Sequence, residues 1–368
     1  MSESSSDQNE CPIESVGGIR GLADSEALNG SEKIESLEVV SGKDFQMVDL
    51  SAWAAGYKRV GFQGTYLHRA IEELKMMRQK EAKIFLGFTS NLVSSGLRDI
   101  LCYLIKNKYV DVVVTTAGGI EEDLIKTLKP SRLGEFSMDG ATLRKQGLNR
   151  VGNVLIPNEN YFVFESWMNE FLDGLVEGVK EDDLDREREV SGYRHLEDIA
   201  VIRPSRLIYE LGKKIDAEDS FCYWAYRNNI PVYCPGITDG SIGDIITYYK
   251  GRDRLVIDLV EDIARINGEG LFARWTGALI LGAGIVKHHI LNANLFRNGL
   301  DHCVLVNTAQ EYDGSDAGAR IDESVSWGKI KKHTTSVKVH ADATIVLPIL
   351  VAAVWPETTQ LKSKEDNQ

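Results

Sequence analysis

Paired cysteines are the first feature that this sequence of 368 residues lacks. The cysteines are scattered, without any C-x-x-C pair, at Cys11, Cys102, Cys222, Cys234 and Cys303. This spacing argues against a structural zinc site and against a disulfide framework. We interpret these residues as free thiols that fill gaps in the core.

Long apolar runs are absent as well, since no stretch reaches the roughly 18 to 20 residues that a membrane-spanning helix needs. The opening residues, MSESSSDQNE, lack the basic and apolar regions of a signal peptide. Basic residues are outnumbered by acidic ones, 42 against 55, for a net charge of −13. The sequence therefore predicts a cytoplasmic protein without membrane or nucleic-acid partners, because phosphates need clustered Lys and Arg.

The composition divides the chain into three regions. Residues 1–40 are rich in Ser, Glu, Asp and Gly, which predicts a mostly disordered N-terminal arm. We predict a single catalytic domain over residues 41–368. Within it, residues 177–205 are highly charged with little apolar periodicity, and we interpret them as a surface insertion.

Apolar strands alternate with helices over most of this domain. The sequence predicts an amphipathic helix over residues 66–80 and then seven strands, in KIFLGF, VDVVVTTAGG, NVLIP, PVYCPG, ALILGAG, CVLVNTA and VKVHA. This pattern is typical of an α/β protein with a Rossmann-like, mostly parallel sheet and helices on both faces. Ligands of such sheets bind at the carboxyl ends of the strands.

Glycine-rich segments, TTAGG and LGAG, follow two of the predicted strands. Neither completes G-x-G-x-x-G, so each is either a phosphate-binding turn or only a tight turn between strand and helix. Several such segments in one sheet favour a dinucleotide. Asp342 follows the last strand, where a carboxylate either binds ribose hydroxyls or caps the next helix.

Two polar loops carry carboxylates, with Asp239 and Asp244 in ITDGSIGD and Asp313, Asp316 and Glu323 in EYDGSDAGARIDES. These loops are either solvated turns or a ligand site, and acids beside Trp327 suit a polyamine. His288 and Asn292 share one face of a predicted helix. We predict no metal there, because no carboxylate has matching spacing, and interpret His288 as a proton shuttle.

The stretch ESVSWGKIKKH contains Lys329, Lys331 and Lys332. Desolvation favours the neutral, nucleophilic form of a lysine. Trp327 can supply an apolar wall for Lys329, and Gly328 lets the backbone pack closely. On these residues alone, Lys329 is either a nucleophile or a solvated charge like its two neighbours.

Over residues 44–355 the sequence resembles the deoxyhypusine synthase family, in LGFTSNLVSSGLRD, VDVVVTTAGGIEEDLIK, LGEFS, VLIPNENY, TDGSIGD, VKHHILNANL, NTAQEYDGSDAGAR and DESVSWGKI. The resemblance implies an NAD-dependent enzyme that dehydrogenates spermidine and releases 1,3-diaminopropane. The 4-aminobutyl group is held as an imine on a lysine and passed to one lysine of the translation initiation factor 5A precursor. This is the first step of hypusine formation, and the family is a homotetramer with sites shared across a dimer interface.

The resemblance also implies roles for individual residues. The carrier is Lys329, which leaves Lys331 and Lys332 as solvated charges, and His288 is the second catalytic residue. Polyamine contacts fall on Glu121, Asp244, His288, Asn292, Gly314, Ser315, Asp316, Glu323 and Trp327. NAD contacts fall on Ser90, Asn91, Leu92, Val93, Ser94, Thr116, Ala117, Gly118, Glu122, Asp239, Ala283, Thr308, Asp342 and Ala343.

The chain departs from the family pattern at two positions near the expected site. Ala283 replaces the middle residue of a Gly-Gly-Gly turn and adds a methyl group where the cofactor approaches. Leu305 stands where some members have a tyrosine, so we expect an altered polyamine pocket. The N-terminal arm does not match closely.

Three alternative functions remain at this stage. A homospermidine synthase passes the same group to putrescine, and the sequence does not distinguish it. A catalytically silent regulatory subunit is disfavoured, because the chain has all of the residues Lys329, His288, Asp316, Glu323 and Trp327. An NAD-dependent protein deacylase normally has a four-cysteine zinc site, which the cysteine spacing does not provide.

Overall fold

A computed structural model describes residues 50–177 and 199–355 of the chain. The predicted N-terminal arm, residues 1–40, lies outside the described residues. The start of the catalytic domain at residue 41 therefore stays a prediction. No helix in the described ranges is long and apolar enough to cross a bilayer.

Most of the described strands join one parallel sheet. In chain order the strands are β1 (Lys83–Phe88), β2 (Val112–Val114), β3 (Arg132–Leu133), β4 (Leu148–Val151), β5 (Val154–Pro157), β6 (Ala200–Ile202), β7 (Val232–Tyr233), β8 (Leu255–Ile257), β9 (Thr276–Leu281), β10 (His302–Asn307) and β11 (Val337–His340). The central sheet has the order β11-β10-β9-β1-β2-β7, and each neighbouring pair is parallel. The predicted mostly parallel sheet is confirmed.

Helices connect these strands and cover both faces of the sheet. They are α1 (Leu50–Ala55), α2 (Phe62–Gln79), α3 (Ser90–Ser94), α4 (Leu97–Lys106), α5 (Ala117–Leu128), α6 (Gly140–Lys145), α7 (Asn158–Glu177), α8 (Pro204–Ile215), α9 (Phe221–Asn228), α10 (Ser241–Tyr248), α11 (Leu259–Leu271), α12 (Gly284–Ala293), α13 (Ile321–Ser326) and α14 (Ala343–Val354). Side chains of β1 alternate between two core clusters, with Leu86 in one and Phe85 in the other. Such a sheet is buried on both faces, which explains the continuous apolar strands.

Leu305 of β10 is fully buried in the second cluster, together with Val286 and Ile290 of α12. Its side chain is part of the core within the described residues. The expectation that Leu305 alters a polyamine site stays a prediction. The four cysteines within the described residues are free and buried, as the scattered spacing predicted.

The NVLIP segment forms a strand, as predicted, but this strand does not join the central sheet. It forms β5, which pairs antiparallel with β3 and β4 in a separate three-stranded sheet. Gly152 and Asn153 connect β4 to β5, and Gly152 has a φ of 59°. A two-residue Gly-Asn loop with positive φ is a hairpin turn, and it keeps β5 beside β4.

The last residues of the predicted charged insertion belong to the fold. Residues 178–198 lie outside the described residues, whereas Ala200–Ile202 form the buried strand β6. This strand pairs in parallel with β8, and Pro204 begins α8 directly afterwards. The predicted boundary at residue 205 is therefore too late.

Candidate active site

The turns at the carboxyl ends of the parallel strands gather most of the predicted cofactor residues. Ser90–Ser94 form α3 after β1, Thr116, Ala117 and Gly118 follow β2, and Asp239, Ala283, Thr308, Asp342 and Ala343 follow β7, β9, β10 and β11. Because all six strands run in one direction, their carboxyl ends lie along one edge of the sheet. Glu122 lies in the second turn of α5.

The turn after β9 accounts for the GAG sequence. Gly282 and Gly284 have φ values of 85° and 64°, in the region that favours glycine. Ala283 between them has a φ of −152°, which a residue with a side chain can adopt. A Cβ on Gly282 would also lie 2.5 Å from Thr89 Oγ1. The flanking positions therefore require glycine, and the middle one does not.

Two buried polar atoms near this edge have no hydrogen-bond partner within the described part of the chain. They are Thr116 Oγ1 and Glu122 Oε2. The other carboxylate oxygen of Glu122 accepts from the Tyr161 hydroxyl at 3.4 Å, and burial raises the pKa of Glu122. Buried polar groups are normally paired, so these two atoms fit a polar ligand.

Glu121, Glu122 and Asp244 form a group that we call the Glu121 cluster. Glu121 Oε2 accepts the backbone N–H of Ile242 at 3.1 Å, which links α5 to α10. Burial raises the pKa of Glu121 to about 7, and the charges of Glu122 and Asp244 act in the same direction. A cation bound here would relieve the repulsion among the three carboxyl groups.

Asp342 caps α14, because its Oδ1 accepts the backbone N–H of Thr344 at 2.8 Å. The N-cap interpretation is therefore confirmed. The residue is also exposed at the carboxyl edge of the sheet. A cap that uses one carboxylate oxygen leaves the other available to a ligand.

Lys329 is buried, with 9% of its surface exposed, and its Nζ lies 5.6 Å from the centre of the Trp327 ring. Helix α13 ends just before it in a Schellman motif. Gly328, with a φ of 73°, donates to Val325 O at 2.9 Å, and the Lys329 N–H donates to Ser324 O at 3.0 Å. Gly328 is thus the helix C-cap glycine that fixes the backbone of Lys329.

The two neighbouring lysines differ from each other. Lys332 is exposed. Lys331 Nζ pairs with Asp301 Oδ1 at 2.5 Å, and the Asp301 side chain is only 4% exposed. The prediction that Lys331 is a solvated charge was wrong, because its partner lies 30 residues away along the chain. Local composition does not reveal such a pair.

Asp316 lies in the loop after β10, over two lysines that the sequence analysis missed. Lys287 is fully buried, donates to the carbonyl oxygens of Asp316 and Ala319, and lies 3.9 Å from Asp316 Oδ2. Lys338 donates to two more carbonyls of this loop, at 2.9 and 2.6 Å. Burial lowers the pKa of both lysines. The signal for Lys287 was its place beside Ile290 on the apolar face of α12.

The remaining polyamine candidates are exposed, namely His288, Asn292, Gly314, Ser315, Glu323 and Trp327. Asp316, Glu323, Trp327 and Lys329 form a second group, the Lys329 group. Across residues 50–177 and 199–355, no hydrogen bond or ion pair joins it to the Glu121 cluster. No three His, Cys, Asp or Glu side chains in these ranges could hold a metal ion.

Comparisons with known proteins agree on one family. The deoxyhypusine synthase family model matches residues 53–354. The chain is 51% identical over 317 residues to deoxyhypusine synthase of Encephalitozoon cuniculi, covering 86% of this chain and 90% of that protein. It is 48% identical over 340 residues to the Caenorhabditis elegans deoxyhypusine synthase, covering 86% of each.

A solved structure is similar as well. A protein of Entamoeba histolytica, provisionally named a deoxyhypusine synthase, superposes with a TM-score of 0.58 at 28% identity. The match covers 88% of this chain and 98% of that one.

The fold and the site define an α/β protein with a parallel sheet, carboxylates near the carboxyl ends of its strands, and a buried lysine, Lys329, whose segment bridges to Leu300 just before β10. The comparisons narrow this class. The chain belongs to the deoxyhypusine synthase family. It is therefore a transferase of hypusine biosynthesis.

Proposed function

We propose that this chain transfers the 4-aminobutyl group of spermidine to one lysine of the translation initiation factor 5A precursor, through an imine on Lys329. The observation that carries the proposal is the burial of Lys329 beside the Trp327 ring. A lysine amine can form an imine with a substrate carbon, which is the chemistry that a carrier needs. The name shared by the relatives favours a protein acceptor over putrescine.

NAD is the cofactor in this proposal, and the edge of the sheet has groups that fit it. Thr116 Oγ1 and Glu122 Oε2 are buried and have no hydrogen-bond partner among the described residues. A Cβ on Gly118 would lie 2.8 Å from Ser90 Cβ, so this glycine lets the start of α5 pack closely against Ser90. Asp342 and the backbone N–H groups that begin α5 would hold NAD. When bound, it supplies an acceptor for the hydride of spermidine and returns that hydride at the end.

Spermidine is a cation, and the carboxylates of the two groups are suited to bind it. Asp316 and Glu323 lie near Lys329, and Asp244 belongs to the Glu121 cluster. His288 and Asn292 present polar groups on one exposed face of α12. We assign His288 the transfer of protons at the reacting amine.

The proposed reaction begins with the oxidation of spermidine. The carbon beside the secondary amine loses a hydride and the nitrogen loses a proton, which gives an imine. The Lys329 amine attacks the imine carbon, the bond to 1,3-diaminopropane breaks, and a new imine joins Lys329 Nζ to the aminobutyl carbon. The acceptor lysine then attacks that carbon and releases Lys329 as a free amine. The returned hydride and a proton reduce the last imine to deoxyhypusine.

Within the described residues no hydrogen bond or ion pair joins the two groups, which is what we expect of a site completed by a second copy of the chain. A homotetramer is the assembly that we propose, with each site receiving the Glu121 cluster and the Lys329 group from different copies. A cytoplasmic location and a single domain over residues 41–368 stay predictions.

The test is incubation of the purified chain with NAD and labelled spermidine, with and without the acceptor protein. We expect release of 1,3-diaminopropane and label on one acceptor lysine. Borohydride trapping without acceptor, followed by peptide mapping, should label Lys329. Label that goes to putrescine and not to the protein would contradict the proposal, and so would a purified chain that turns over only with a second subunit.

A further inference from the structure

The backbone around Lys329 is held on both sides. Beyond the Schellman turn, the Leu300 N–H donates to Lys329 O and the Lys331 N–H donates to Leu300 O, each at 3.0 Å. These bonds form an isolated parallel bridge between Leu300 and Ile330. Gly299 lies so close that a Cβ on it would be 2.8 Å from the Ile330 carbonyl carbon. Lys329 therefore belongs to a short extended segment that packs closely against residues 299–300.

The Asp301 side chain connects this bridge to the body of the fold. Its Oδ2 accepts from the Thr276 N–H at 2.9 Å and from Arg297 Nη1 at 2.8 Å, and its Oδ1 accepts from Lys331 Nζ. Burial alone would raise the pKa of Asp301. The hydrogen bonds from Lys331 and Thr276 and the charge of Arg297 outweigh it and hold the pKa below its usual value.

Lys331 differs from the other partners of Asp301 in its location. Arg297 and Thr276 are fixed in the body of the fold, where Arg297 also bonds to Gly299 O at 2.8 Å. Lys331 is 41% exposed and belongs to the segment that carries Lys329. Its removal leaves Asp301 paired to Arg297 and Thr276, so the fold keeps its buried charge neutralised. What is lost is the side-chain ion pair between Asp301 and the carrier segment, while Thr334 Oγ1 still donates to Asp301 O at 3.0 Å.

We propose that Lys331 is a positioning residue, whose ion pair with Asp301 holds the 329–331 segment against Leu300 and so keeps the Lys329 amine at the reacting carbon. This inference rests on the proposed function of Lys329. Spermidine oxidation does not involve the Lys329 amine, whereas imine transfer requires it within bonding reach of the carbon. Loss of Lys331 should therefore separate the two steps.

The test compares Lys331→Ala, Lys331→Arg and the matched control Lys332→Ala in the full chain. Two quantities are measured for each, namely spermidine-dependent NAD reduction and borohydride-trapped label on Lys329. We expect Lys331→Ala to keep NAD reduction within about twofold and to lose roughly tenfold or more of the trapping rate, since misplacement of about 1 Å costs up to a hundredfold. Lys331→Arg should restore trapping, because a guanidinium also pairs with Asp301, and Lys332→Ala should match the wild type.

Two results would overturn the inference. One is a Lys331→Ala enzyme that traps and transfers like Lys332→Ala. The other is an equal loss of NAD reduction and trapping together with a lower melting temperature, which is a purely structural effect. A wild-type chain that carries no label on Lys329 would instead refute the proposed function itself.

Discussion

The Lys329 amine lies 5.6 Å from the centre of a Trp327 ring that is itself 67% exposed. The ring covers the lysine on one side and leaves its own outer surface open. An aromatic surface of this kind can also contact the methylenes of a polyamine. In the function that we propose, one ring would thus contact both the carrier lysine and the polyamine.

Lys329→Arg should fold and bind NAD and spermidine but lose nearly all aminobutyl transfer. A guanidinium stays protonated and does not form the imine. Because oxidation of spermidine precedes the attack by lysine, some spermidine-dependent NAD reduction should remain. The measurement is label transfer to the acceptor protein beside NAD reduction. Transfer by the arginine variant at a rate close to that of the wild type would show that the carrier is elsewhere.

Asp316→Asn should weaken spermidine binding and spare NAD. Hydrogen bonds to charged groups contribute roughly 1.5 to 3 kcal/mol, and we expect the lower part of this range because the Asp316 side chain is 34% exposed. Calorimetric titration of each ligand separates the two effects. Asp322→Asn, an exposed carboxylate of α13, is the control. Equal loss of both ligands would indicate misfolding of the loop.

Asp342 has two separable roles. Asp342→Ala removes the cap of α14 and should lower the free energy of unfolding by about 0.5 to 2 kcal/mol. Asp342→Asn keeps a capping oxygen and should retain most of that stability. Both variants should weaken NAD binding if the carboxylate holds a ribose. An Asn variant with unchanged NAD affinity would limit Asp342 to the cap.

Because of Glu121, the free energy of unfolding should depend on pH near neutrality. Burial raises its pKa from 4.5 to about 7. The protonated carboxyl therefore stabilises the folded state fully below the lower value, and this contribution is lost as the pH rises through about 7. Relative to Glu121→Gln, the wild-type free energy of unfolding should fall between about pH 5 and pH 8. Glu165→Gln, a substitution of an exposed residue of α7, is the control. A constant difference for Glu121→Gln would contradict its burial as a protonated acid.

The sequence predicted the central sheet because its strands are continuous apolar runs followed by helix starts. It misplaced NVLIP because a run of four apolar residues looks the same in a hairpin, although Gly152 and Asn153 carried the hairpin signal. The pairing of β6 with β8 was not predictable, since the partners are distant in sequence. The same holds for the pair of Lys331 with Asp301, which no local pattern encodes.

The structure brings together those predicted cofactor residues that follow parallel strands, and their roles stay predictions. Lys287 and Lys338 were missed because they act on backbone carbonyls of the Asp316 loop, which any sequence supplies. The sequence alone could not show that the carboxylates fall into two groups, because spacing along the chain gives no distance between α5 and α13.

Hydrogen bonds hold the backbone of Lys329 on both sides. Its N–H donates to Ser324 O and its carbonyl oxygen accepts from the Leu300 N–H, so the position of its Cα is fixed. In the function that we propose, the aminobutyl group reaches only as far as the Lys329 side chain extends. We therefore expect the acceptor protein to bring its lysine to the segment that carries Lys329.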